Sequence, residues 1–92
     1  MRHDMTRDTE NLYILMWRLG YTMTQVCQQC GIRPRTPSRW KSQGLTPRPA
    51  VFDRVLGAMV DMGIRDGNLP EDARGKSVAE VVEMQAAHRK DG

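Results

Sequence analysis

The sequence predicts an all-α fold, a small bundle of about five helices, on three observations. Apolar residues recur three or four apart in separate stretches, as in Leu12, Leu15, Met16 and Leu19, or Phe52, Val55, Leu56, Met59 and Val60. Two capping-box patterns, Thr22 with Gln25 and Ser77 with Glu80, mark helix starts. Glycines and prolines fall between these stretches, where the chain must turn. With 92 residues the chain makes one domain, 1–92, with a modest core. Seven methionines and few aromatics mean that adaptable Met, Leu, Val and Ile side chains fill it.

Residues 1 to 7 read as a polar, frayed start. The first helix runs from about Thr9 to Leu19, and Gly20 stops it. The capping box then opens a second helix near Met23 that turns Val26, Cys27 and Cys30 inward and ends at Gly31, the residue type that tolerates a left-handed conformation. In Arg33-Pro34-Arg35-Thr36-Pro37 each proline biases the preceding residue away from helical geometry, so Arg33 and Thr36 are expected to be extended. Thr36 as N-cap and Pro37 as first helical residue give a third helix of about Pro37 to Gln43, closed by Gly44. A proline-stiffened link leads into a fourth helix, about Pro49 to Met62, which Gly63 ends. Ile64 to Lys76 reads as a loop with a turn near Asp66-Gly67-Asn68. Ser77 caps a last helix to about His88.

Charge is unevenly distributed. The chain is +3 overall, yet Asn11 through Phe52 holds six basic residues (Arg18, Arg33, Arg35, Arg39, Lys41, Arg48) and no acid. The remaining residues, with eight basic and eleven acidic side chains, carry −3. Such segregation points to a face that binds a polyanion.

Residues 22 to 43 resemble the helix-turn-helix of the Cro and phage-repressor family of small all-helical transcription regulators. Val26, Cys27, Cys30, Gly31 and Ile32 fill the family's apolar, small, apolar, turn-glycine and apolar slots in order. Ser38-Arg39-Trp40-Lys41 repeats its common second-helix sequence, and Gly44-Leu45-Thr46-Pro47 is similar to the continuation in its short members. The sequence departs from the family at Pro37, where Val or Ile is usual, and at Met23, where a backbone-contacting Gln is common. The proline is expected to shorten or shift the third helix.

The resemblance implies a sequence-specific regulator of double-stranded DNA, a repressor of phage or mobile-element type, acting as a homodimer on an inverted-repeat operator. A helix in the major groove reads base edges while basic residues and helix N-termini hold phosphates. Ser38 and Arg39 are then the first candidates for base contact, with Gln43 behind them. Arg33 and Arg35 either read bases or clamp phosphate. Lys41, Arg48 and the hydroxyls of Thr22, Thr24 and Thr36 are candidates for the DNA backbone. Val78, Val81, Val82 and Gln85 on the last helix offer either a dimer surface or packing across the fourth helix of the same chain. The alternative function is a small accessory protein that uses the same scaffold to bind another protein; a third helix starting too late to reach the groove would favour it.

Other readings are bland. Cys27 and Cys30 form a Cys-Gln-Gln-Cys pattern, but zinc needs four ligands and the histidines, His3 and His88, stand near opposite ends. Both cysteines are expected to be structural. Trp17 and Trp40 are expected in the core, with stacking on a base as the alternative. Arg18 and Arg54 read as solvated charges, as do Glu71, Asp72, Glu80 and Glu83. No nucleophile with a base and orienter appears, nor a phosphate loop, so no catalysis, cofactor, metal or small-molecule substrate is expected. No apolar run approaches the ~20 residues that span a bilayer, and the start lacks a secretion signal, so the cytoplasm is the expected compartment.

Overall fold

The computed structural model describes residues 9–33, 35–44 and 48–89. It is all-helical, with no strand among these residues: α1 (Thr9–Leu19), α2 (Met23–Cys30), α3 (Arg35–Ser42), α4 (Pro49–Arg65) and α5 (Val78–Arg89), with a 3-10 turn at Glu71–Ala73. No described helix is long and apolar enough to cross a membrane.

Helix α1 has the bounds its periodicity predicts. Leu12, Leu15 and Leu19 are buried, and Gly20 follows at φ +79°. The core is organised around α4, which buries Phe52, Val55, Leu56, Ala58, Met59, Val60, Met62 and Gly63 and packs mainly on α2. Such a wide apolar face means that α4 is covered on more than one side.

Gly63 does not end α4. The helix continues to Arg65, because this glycine serves close packing instead. A Cβ at position 63 would lie 2.7 Å from Leu69 Cδ1, and the Gly63 carbonyl accepts the Asn68 N–H at 2.7 Å and the Leu69 N–H at 3.1 Å. The chain thus folds back over the end of α4 as soon as it leaves it. The expected turn is present, with Gly67 at φ +77°. The rest of the expected loop holds the 3-10 turn and buries Leu69 and Ala73, while Arg74 on α5's approach pairs with Asp61 of α4.

Ser77 and Glu80 form the expected reciprocal cap of α5: the Ser77 N–H donates to Glu80 Oε1 at 3.2 Å, and the Glu80 N–H to Ser77 Oγ at 3.4 Å. This helix packs chiefly on α1, the first helix, within the core that α4 also fills. Val78 and Val81 are fully buried, Gln85 is buried and Val82 is packed half-buried against the core. These four residues are therefore not a free surface for a second copy, which corrects the reading of the last helix as a dimer face.

Candidate nucleic-acid interface

Helix α2 opens on its capping box. The Thr22 N–H donates to Gln25 Oε1 at 2.8 Å, and the Gln25 N–H donates to Thr22 Oγ1 at 3.2 Å. Its other end is set by Gly31, whose φ of +73° and ψ of 23° are left-handed and whose N–H reaches the Cys27 carbonyl. The Ile32 N–H bonds to that same carbonyl at 3.0 Å. Two donors on one acceptor make a tight exit from the helix, in the αL conformation that suits glycine.

The cysteines belong to this packing. Cys27 is buried beside Val26, and burial, with Cys30 nearby, pushes its thiol above the ordinary range, so it stays protonated and unreactive. Cys30 is half-buried, with Sγ 3.8 Å from the Cys27 carbonyl. No group of three or more His, Cys, Asp or Glu among the described residues is placed to hold a metal ion.

Helix α3 begins at Arg35, two residues before the expected start. The Thr36 N–H donates to the Arg33 carbonyl at 3.0 Å, so Thr36 lies inside the first turn and does not cap it. Pro37 is consequently the third helical residue. The first four N–H groups of a helix have no intrahelical partner, so a proline there sacrifices no bond. Its ring is fully buried, filling the apolar slot, and its carbonyl accepts the Tyr13 hydroxyl of α1 at 2.6 Å. The proline neither shortens nor delays the helix. Trp40, 7% exposed, provides the second anchor by stacking on Phe52 of α4, with centroids 6.2 Å apart and planes at 28°.

With Pro37 and Trp40 turned inward, the opposite side of α3 faces solvent. Arg35 and Arg39 are exposed and four residues apart, which places them one above the other. Gln43, also exposed, extends this line, its N–H bonded to the Arg39 carbonyl at 3.0 Å. Three of the five base-contact candidates thus share one stripe. Arg33 is exposed just ahead of it. Ser38 and Lys41 belong to α3 by their backbone, and their side chains lie outside the described residues. Of the backbone candidates, Thr22 and Thr24 are exposed at the start of α2, Thr36 is exposed in α3, and Arg48 is exposed immediately before α4. The Thr22 hydroxyl is engaged in the cap.

Two residues take roles that the sequence reading missed. Tyr13 joins α1 to α3, and burial raises its phenol above the ordinary range, with Cys27 adding to the effect. Its signal was present: a tyrosine beside the Leu12/Met16 stripe has an apolar body for the core edge and a hydroxyl that seeks a partner. Trp17 was expected in the core and is 79% exposed. It stands two residues from both Leu15 and Leu19, and at 3.6 residues per turn that is the far side of the helix.

Comparison with known protein families, curated proteins and solved structures finds no match.

Proposed function

We propose that this chain is a sequence-specific double-stranded-DNA-binding regulator, a repressor of phage or mobile-element type that works as a homodimer on an inverted repeat. Helix α3 is the reading helix and lies in the major groove. The observation that carries this is the Arg35, Arg39 and Gln43 stripe, exposed on a helix whose other side is anchored by Pro37 and Trp40. It stands within a segment that has six basic residues and no acid. Arg39 pairs with guanine O6 and N7, a contact that contributes about 1–3 kcal/mol of discrimination. Arg48 and the exposed first turn of α2 hold phosphates and set the register. Repression follows from occupancy: a protein seated across an operator excludes what would otherwise bind there. The reason for the rival protein-binding reading, a third helix delayed by Pro37, falls away because α3 begins before the proline.

Selection of bound duplexes from a random pool at near-physiological salt tests the reading, with enrichment of an inverted repeat as the expected result. Arg39→Ala then binds selected and random duplexes with nearly equal affinity. Arg48→Ala weakens binding to all sequences and lowers the slope of log affinity against log salt by about one. Retention without enrichment would leave only nonspecific phosphate binding, and no retention would overturn the proposal in favour of a protein partner.

A further inference from the structure

The large hydrophobic side chains left exposed among the described residues are Trp17, at 79%, and Ile14, at 36%. They are three residues apart on α1, and therefore on one side of it. Exposed apolar residues scattered singly need no explanation, whereas a tryptophan beside an isoleucine on the side opposite the core makes a patch.

Charge on that side has an order. Exposed Glu10 stands one turn before Ile14, in the first turn of the helix, and exposed Arg18 stands one turn after it, in the last. A second copy of α1 laid antiparallel across the first, with the two-fold axis at Ile14, sets Glu10 of each copy against Arg18 of the other. Ile14 then meets its own counterpart, and each Trp17 covers the other copy's helix near Asn11. A parallel arrangement would set Glu10 against Glu10 and Arg18 against Arg18. The antiparallel one also opposes the two helix dipoles.

We propose that the outer face of α1, centred on Ile14 and Trp17, pairs with the same face of a second copy as an isologous two-fold dimer. This supplies the dimer that the DNA reading invokes, and rests on that reading only for its use. Each tryptophan can bury roughly 150–250 Å². An 11-residue helix offers little more, so the interface falls at the small end for specific association, and the dimer is weak, with a Kd in roughly the micromolar range or above. Tyr13, one turn before Trp17, bonds to the start of α3, so this face adjoins the reading helix.

Sedimentation equilibrium of the full chain without DNA, from about micromolar to several hundred micromolar, tests the pairing. The parent is expected to self-associate. Trp17→Ser weakens association at least about tenfold, since a central tryptophan commonly dominates a small interface. Its helical melting is unchanged, because the residue is outside the core. Glu10→Arg and Arg18→Glu each weaken self-association, and an equimolar mixture of those two variants associates more tightly than either alone, because each then offers the other opposite charges at both contacts. A parent that stays monomeric, a Trp17→Ser variant as dimeric as the parent, or a mixture no tighter than its components would overturn the proposal. A monomeric chain that still selects a DNA sequence would do so while leaving the DNA reading intact.

Discussion

Helices α3 and α4 use their residues in opposite ways. Helix α4 buries eight side chains or backbone positions along its 17 residues, whereas α3 is fixed by Pro37 and Trp40 and gives its arginines to solvent. The two meet where Trp40 stacks on Phe52. Stability is therefore concentrated in α4 while the proposed recognition surface lies on α3, and removing an exposed α3 arginine should leave stability nearly untouched.

The largest effect expected is that of Phe52→Ala. Phe52 is fully buried and carries the ring on which α3 rests. Its removal should cost about 3–5 kcal/mol. That is a large fraction of the ~5–15 kcal/mol that holds a domain together. Thermal unfolding followed by circular dichroism should show a midpoint more than about 10 °C lower. Arg39→Ala, at an exposed position, should stay within about 0.5 kcal/mol of the parent. Equal losses from the two would show that α3 is no mere passenger on α4.

The same division decides what could be read in advance. Helix α1 has its expected ends, and the two capping boxes and the Gly31 turn stand where the sequence puts them, because each is settled by residues within one or two turns of one another. Apart from Trp17, whose exposure follows from the periodicity of its own helix, the failures depend on something distant. Gly63 looks like a stop signal, and only the return of Leu69 reveals it as a packing gap. Pro37 looks like a helix start, because the rule for the residue before proline is local, while its place inside the fold, buried and with its carbonyl taken by the Tyr13 hydroxyl, involves a different helix. The apolar side of α5 was legible, but its partner was not: nothing in a stripe of valines says whether α1, α4 or a second copy covers it. The arginine stripe lies between these cases. Its spacing is local, but its exposure follows from where Pro37 and Trp40 are anchored.

Two glycines sharpen the comparison within α4 itself. At Gly57 a Cβ meets nothing within 4 Å, whereas at Gly63 it meets Leu69, which is buried and held by its N–H to the Gly63 carbonyl. Alanine is the better helix former at both positions, by about 0.8–1 kcal/mol. Gly57→Ala should therefore raise stability by about 0.5–1 kcal/mol. Gly63→Ala should instead lower it by about 1–3 kcal/mol, since overpacking outweighs the propensity gain. Chemical denaturation midpoints moving in opposite directions would confirm that α4's inner side is filled to contact, and a shared rise would show that Leu69 yields easily.

The smallest effect concerns how the α2 end of the molecule is fastened to α4. The Tyr21 hydroxyl, just ahead of α2, donates to Asp66 Oδ2 at 2.6 Å, and this bond, followed by the one from Arg65, holds the Asp66 carboxyl below its ordinary range. Glu80 is likewise lowered by the Ser77 N–H and hydroxyl at the α5 cap. For both groups the folded value lies below the unfolded one. The stability they add is thus complete above the unfolded carboxylate range, near pH 4, and is lost as pH falls through the folded values. Asp66→Asn and Glu80→Gln should each flatten the dependence of the unfolding midpoint on pH below about 4 while leaving its shape above pH 6 unchanged. Both carboxylates are solvent-exposed, so the changes will be small, but they differ in place: Glu80 acts within one turn of α5, whereas Asp66 spans 45 residues to Tyr21. If hydrogen exchange in α2 quickens on Asp66→Asn but not on Glu80→Gln, the end of α4 holds the entry to α2, and the α2–α3 segment is fastened to α4 at that bond as well as at Trp40.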